Sequence, residues 1–300
     1  MTKIAIITDT DSSLPLEVAK KLDIRQVPIG IHFQDDVYDA VFEINDRQLF
    51  DRIDQEKKLP TTSAPSAGKW ALAYTDAFNA GADEVICFCV SGAVSSTYNS
   101  ALAGAELVPD RKITVVDTQS LAIEQGFMVL QAAMTAENGA STDEVIRSAF
   151  EIQKRTMLYG ALSTLRYVAM SGRVGYLAAG IANLLDVKPI LSIRDGKLSI
   201  MEKVRTQKKS WMRMIEMTRE QLGGRPIGAM ALLHVGVEEV AREFEVMLRQ
   251  NLDVPEKFMF TELTPGLSVH TGAGLVGLCF VAAGDQPMRE DIINTNKANC

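Results

Sequence analysis

Ser95, Ser96 and Thr97 stand in a row, separated by four residues from an apolar run at residues 84–90 and placed before a helix-compatible segment that reaches Leu107. A strand that ends in small hydroxylated residues and then enters a helix builds an anion site. The first amides of a helix lack internal partners, and the dipole places partial positive charge at that end. Hydroxyls at the same spot add donors, so residues 90–101 read as a pocket for one carboxylate or phosphate. The same residues serve equally well as a cap that satisfies only its own helix. Three other places carry matching chemistry. Thr62 and Ser63 lie in 59–66, a loop with two prolines and four hydroxyls. Arg173 follows Ser171-Gly172, and His270-Thr271 precedes Gly272 and Gly274. Hydroxyls, a guanidinium and an imidazole all donate hydrogen bonds, and bonds to a charged acceptor are the stronger kind. Together they suit a carboxylate.

The elements that must position these residues follow a rhythm. Residues 3–8 are an isoleucine-rich strand stopped by Asp9. Asp9 to Ser13 form a polar turn, and Ser13 is placed to cap a helix whose first residue is Pro15. Asp9 and Asp11 are too few for a metal ligand set and read as turn formers. Residues 25–33 give a second apolar strand, Asn45 caps a short helix, and Ser66 caps a helix from Ala67. The strand at 84–90 leads to the Ser95 turn, and 112–117 is another strand. A long helix over 121–137 ends at Asn138-Gly139, and Ser141-Thr142-Asp143-Glu144 forms a capping box for a helix to Lys154. Strands alternating with helices make a parallel sheet, whose ligands gather beyond the carboxyl ends of the strands.

The character changes near residue 160. Residues 161–170 read as a short helix, and Gly175 and Gly180 punctuate an apolar helix reaching Leu185. Residues 188–200 hold two strands around Asp195-Gly196, a strong hairpin signal. A basic helix begins near Lys208 and reads as a solvated face, with a docking patch for an acidic partner as the alternative. Strands at 227–234 and 257–263 flank a helix over 237–251, and 276–283 is the closing strand. The organisation is therefore two α/β domains, 1–160 with a mainly parallel sheet and 161–284 with a mixed sheet, then a polar tail over 285–300.

Composition excludes several classes of function. The 300 residues are 47% hydrophobic and 23% charged with a net charge of −7, which argues against a broad nucleic-acid footprint. The opening Met1-Thr2-Lys3-Ile4-Ala5-Ile6-Ile7-Thr8-Asp9 turns polar too soon for a secretory signal, and no apolar run has bilayer length. Four cysteines follow neither a disulfide framework nor zinc spacing and read as thiols of a reducing cytoplasm. The expectation is a cytoplasmic protein with no metal and no cofactor. Without a Gly-x-x-x-x-Gly-Lys-Ser/Thr loop, the chain lacks a phosphate cradle of its own. A serine hydrolase of a small acyl ester, using His270 or His234, is the alternative. No Gly-x-Ser-x-Gly elbow supports it.

Order and wording of these motifs resemble the DegV family of fatty-acid-binding proteins, over residues 3–284. The pieces are Ile7-Thr8-Asp9-Thr10, Thr62-Ser63-Ala64-Pro65-Ser66, and Val94-Ser95-Ser96-Thr97-Tyr98-Asn99-Ser100-Ala101. Leu165-Arg166-Tyr167, Ser171-Gly172-Arg173-Val174, Lys188-Pro189-Ile190-Leu191 and Gly196-Lys197-Leu198 continue the series. Glu202-Lys203-Val204-Arg205 and His270-Thr271-Gly272-Ala273-Gly274 complete it. Ala64 stands where the family has Gln, and Ser96 and Ser171 where it has Gly. The resemblance implies a long-chain fatty acid in a tunnel between two domains, its carboxylate met by Thr62, Ser95 and His270, with Ser63, Ser96, Thr97 and Thr271 beside them. Arg173 and Arg205 would support the head group or face a partner. That partner is an ATP-dependent fatty acid kinase, which makes the chain a non-enzymatic carrier for phospholipid synthesis, with at most transient membrane contact. Burying about 14–16 methylenes at ~0.8 kcal/mol each supplies more than ~10 kcal/mol before ordering costs. Of the thirteen methionines, Met128, Met134, Met157 and Met170 are candidates for a pliable tunnel lining, with plain core the commoner role of any one of them.

Overall fold

A computed structural model describes residues 2–34, 36–172, 187–284, 288–289 and 292. Arg173, the helix expected to reach Leu185 and most of the tail lie outside the described residues.

The first half builds the expected parallel sheet. Its strands are β1 (Ile4–Asp9), β2 (Arg25–Val27), β6 (Glu84–Cys89) and β7 (Lys112–Asp117), in the order β2-β1-β6-β7 with every pair parallel. Helix α1 (Leu16–Lys21) links the first two strands. Ser13 does not cap it. The helix starts after Pro15, and Ser13 closes a 3-10 turn in the left-handed region with its hydroxyl buried.

The apolar stretch at 25–33 is two strands, not one. Pro28 cannot donate to a ladder, so pairing stops there and the chain changes sheet. β3 (Gly30–Phe33) joins β4 (Asp36–Asp39) and β5 (Thr61–Ser63) in a three-stranded antiparallel sheet of order β4-β3-β5. Thr62 and Ser63, expected in a loop, are thus on a strand. Three hydroxylated residues give no apolar alternation, which is why β5 is invisible to periodicity. Between these strands, α2 (Asp46–Glu56) carries the expected Asn45 cap as a full capping box with Gln48.

Helices α3 (Ala67–Asn79) and α4 (Thr97–Glu106) pack on one face of the parallel sheet, with Trp70, Tyr74 and Phe78 buried against Val85, Cys87 and Cys89. Helices α5 (Ala122–Glu137) and α6 (Thr142–Gln153) follow. α5 is buried from Ala122 through Met134, because it lies between the parallel sheet and the inner face of a larger sheet.

That larger sheet has six strands in the order β10-β9-β8-β13-β11-β12. They are β8 (Thr156–Ala161), β9 (Lys188–Arg194), β10 (Lys197–Val204), β11 (Ile227–His234), β12 (Met259–Glu262) and β13 (Val276–Ala282). All pairs are antiparallel except β11 with β12, so the sheet is mixed. The hairpin turns at Asp195-Gly196 as expected, both residues at positive φ. β8 is the strand missed in the sequence, where the helix was placed from 161. Every residue of β8 is buried, so it shows no alternation, and the helix that follows, α7 (Arg166–Met170), is shorter than expected. Helices α8 (Gln207–Leu222) and α9 (Glu238–Asn251) cover the outer face of the sheet, and α10 (Pro265–Thr271) leads back to the small sheet.

Candidate functional site

The turn that carries Ser95 is anchored by polar contacts at the ends of the parallel strands. Asp9 is fully buried at the end of β1. Its carboxylate accepts from the Asp11 amide at 2.9 Å, the Val90 amide at 2.7 Å and Gln125 Nε2 at 3.3 Å. Burial raises its pKa to about 6 against the opposing pull of these donors. Asp9 is therefore the expected turn former, and it also anchors the turn after β6. Asp117, at the end of β7, accepts from the Gly92 amide at 3.1 Å on the same turn. Ser91 Oγ donates to the Gly196 carbonyl at 2.7 Å, which ties the β9–β10 hairpin to the turn.

The Ser95 turn departs from a simple anion cradle. Most of its amides are engaged within the protein: Val94 and Ser95 donate to the Ser91 carbonyl and Thr97 donates to Ser95 Oγ at 3.2 Å. Ser95 Oγ and Thr97 Oγ1 also share a hydrogen bond at 2.9 Å. Thr97 is fully buried and absent from the wall of the cavity described below, so it orients Ser95. Its place is dictated by the helix, which points the first-turn residue into the protein. What the turn offers a ligand is hydroxyls and the side chains one turn on.

A cavity of about 690 Å³ opens between this turn, the small sheet, α10 and the inner face of the mixed sheet. Thr62, Ser63, Ser95, Ser96, His270 and Thr271 all line it. Thr62 Oγ1 and His270 Nε2 share a hydrogen bond at 3.1 Å across 208 positions of sequence. Ser63 Oγ shares another at 2.6 Å with His32 Nε2, a histidine of the neighbouring strand β3 that belongs to no motif in the sequence. Asn99 and Ser100 join the wall. They lie four residues after Ser95 and Ser96, and i, i+4 spacing on a helix signals a shared face. Arg205, in contrast, is exposed just past β10 and does not line the cavity.

The opposite wall is apolar and built by leucine. Leu158, Leu162, Leu191, Leu233, Leu263 and Leu275 contribute, with Leu121, Leu198 and Leu267 beside them. None of the four candidate methionines does. Met128 and Met134 are buried in α5, Met157 points to the outer face of the sheet, and Met170 is 57% exposed. Parity explains Met157, since Leu158 takes the inner face of the same strand.

Helix α10 brings His270 to this wall, and its own anchor is a buried acid. Ser268 Oγ donates to Asp46 Oδ2 at 2.7 Å, with Asp46 1% exposed. Burial, helped by the nearby charge of Glu262, lifts the Asp46 pKa to about 8 despite the Ser268 donor. A folded-state pKa above the unfolded 3.8 means the native chain keeps a proton that the unfolded chain releases. Its stabilising contribution is full below about pH 4 and is lost as pH climbs toward 8. Asp46→Asn is expected to raise the melting temperature more at pH 8 than at pH 5. An equal shift at both values would contradict a protonated Asp46.

Among the described residues, the hydroxyl that His270 meets is Thr62 Oγ1. Ser95 is engaged with Thr97, and His234 does not line the cavity. Burial lowers the His234 pKa, and its nearest carboxylate is Glu262 at 4.0 Å. Cys87, Cys89 and Cys279 are buried free thiols. Among the described residues, no cluster of three or more His, Cys, Asp or Glu is placed to hold a metal, and no helix is long and apolar enough to cross a membrane.

A family model described as an uncharacterised protein of the DegV family matches residues 3–283. This chain belongs to the DegV family. A DegV domain-containing protein of Mycobacterium tuberculosis is 33% identical over 287 residues, covering 95% of this chain and 99% of the relative. The DegV structure from Thermus thermophilus, described by its fatty acid binding, superposes with a TM-score of 0.86 at 29% identity, over 94% of this chain and 100% of that one. The crystal structure of Bacillus subtilis DegV, described as a fatty acid binding protein, gives 0.83 at 28% identity with the same coverage. The α/β architecture of a parallel and a mixed sheet is therefore that of solved DegV proteins.

Proposed function

We propose that this DegV protein holds a long-chain fatty acid in its cavity. The carboxylate sits on the wall formed by Thr62, Ser63, Ser95, Ser96, His270 and Thr271, and the alkyl chain lies along the leucines. The observation that carries this reading is the division of one cavity into a hydroxyl-and-imidazole wall and a leucine wall. At ~30 Å³ for a water-sized group, 690 Å³ takes roughly 20 methylene-sized groups. A buried carboxylate needs donors, or its desolvation erases much of the gain from the tail. The fatty acid binding described for the Thermus and Bacillus relatives supports the same guest.

The chain then acts as a cytoplasmic carrier without a cofactor or metal of its own. A separate ATP-dependent fatty acid kinase would transfer the terminal phosphoryl group of ATP to a carboxylate oxygen, leaving ADP and an acyl phosphate for phospholipid synthesis. Arg205 is exposed near the basic start of α8 and is suited to facing that partner, and Arg173 is assigned the same role from its motif. Equilibrium titration with palmitic acid and with its methyl ester tests the head-group half of the proposal. The acid is expected to bind at least tenfold tighter than the ester, a difference of about 1.4 kcal/mol. Equal affinities would overturn it.

A further inference from the structure

Glycines in this protein fall into groups by physical cause, and Gly160 escapes the usual causes. Some have positive φ, as at Gly196 and Gly274. Others have no room, such as Gly104, where an added Cβ would lie 2.4 Å from Trp70 Cβ, and Gly266, where it would lie 2.2 Å from Asp11 Oδ1. Gly160 shows neither cause. Its φ is not positive, it lies within β8, and a Cβ there would meet only Leu275 Cδ1 at 3.5 Å and Leu162 Cδ1 at 3.9 Å. Its direct partner across the ladder is Gly277 of β13, again without positive φ, where a Cβ would meet the Tyr159 carbonyl at 3.3 Å and Leu233 Cβ at 3.4 Å.

Glycine inside a strand is costly, about 0.5–1 kcal/mol relative to alanine, and often marks where something approaches the backbone. Here two glycines face each other in the middle of a six-stranded sheet, and both line the cavity. The register continues Leu191–Gly160–Gly277–Leu233 across four strands, and all four residues are on the cavity wall. Two bare backbones between two leucines make a trough in an otherwise side-chain-covered floor.

We propose that the Gly160–Gly277 trough is a specificity element that accepts a bend in the acyl chain, so that the cavity favours a cis-unsaturated long-chain acid over a straight saturated one of equal length. This inference rests on the fatty-acid reading above. A kinked chain is locally wider than an extended one, and width is what the missing side chains supply.

Oleic and stearic acids have the same carbon count and differ at one cis double bond, which separates width from length. Their affinities are to be measured by displacement of a fluorescent fatty acid from the wild-type chain, Gly160→Ala, Gly277→Ala and Gly160→Val. The wild type is expected to prefer oleic acid. Each alanine variant should lower the oleic-to-stearic affinity ratio by about tenfold, the discrimination a single added carbon gives in an apolar pocket, and valine by more. Gly160→Ala meets only side-chain carbons at 3.5 and 3.9 Å, so it keeps the test open should Gly160→Val fail to fold, whereas Gly277→Ala presses on the Tyr159 carbonyl at 3.3 Å and is read beside its melting temperature. An unchanged ratio in an alanine variant that melts like the wild type, or equal losses for both acids, would overturn the trough. Wild-type protein that binds neither acid would instead overturn the fatty-acid reading, and the trough with it.

Discussion

Removing Ser95 and His270 together, as Ser95→Ala with His270→Ala, is expected to weaken long-chain acid binding by ~2–6 kcal/mol, from ~1–3 kcal/mol for each lost or unpaired polar contact. The two residues reach the cavity from different elements. Ser95 stands in the turn before α4, and His270 stands in the last turn of α10, bonded to Thr62 on β5. Ser95→Ala also deprives the Thr97 amide of an acceptor, and a lost hydrogen bond costs ~0.5–1.5 kcal/mol of stability. Binding and unfolding must therefore be read separately, the first by titration and the second by urea denaturation. Loss of affinity with a modest fall in stability is the expected pattern. Undiminished affinity in the double variant would remove both residues from the head-group site. Non-additivity between the single variants would measure how far they share one carboxylate.

The largest stability loss is expected at Gly104→Leu. Helices α3 and α4 cross at this glycine, and an added Cβ would fall 2.4 Å from Trp70 Cβ, 2.9 Å from the Ala67 carbonyl and 3.3 Å from the Ala71 amide. Two of these atoms are backbone, so side-chain adjustment cannot relieve the clash. Trp70 is itself fully buried and stacked on Tyr74, whose hydroxyl donates to the Ala101 carbonyl at 3.1 Å. Helix propensity gains up to ~1 kcal/mol when glycine is replaced. Overpacking costs typically ~1–3 kcal/mol and sometimes more, and a backbone clash belongs at the upper end. A net loss of at least ~2 kcal/mol by urea unfolding is expected, with acid binding reduced as well, because α4 carries the Ser95 turn. A stability equal to wild type would mean that the helices separate freely, against the geometry of the crossing.

What the sequence made legible was chemistry confined to short range. The capping boxes at Asn45 and Ser141, the Asp195-Gly196 turn and the strand–helix alternation of the first half each depend on neighbours within a few positions. Thr62, Ser63, Ser95, Ser96, His270 and Thr271 were singled out by residue type and by resemblance to the DegV family. Their meeting on one cavity wall is a long-range fact that spacing does not encode. β8 was hidden because a strand buried on both faces has no period-two signal, and β5 because its hydroxyls read as loop. Methionine's pliability makes it a candidate lining and plain core is its commoner role; Met128, Met134 and Met157 are core, with strand parity sending Met157 outward and Leu158 inward. His32 gave no signal, since its contact with Ser63 depends on the pairing of β3 with β5.

Mass spectrometry of the organic extract from protein purified under native conditions addresses the central claim most directly. The account predicts long-chain fatty acid in near-equal molar amount to protein from the wild-type chain, and a marked loss of it from the Ser95→Ala, His270→Ala double variant. An extract without long-chain acid, from folded wild-type protein that also fails to take up added palmitic or oleic acid, would contradict it.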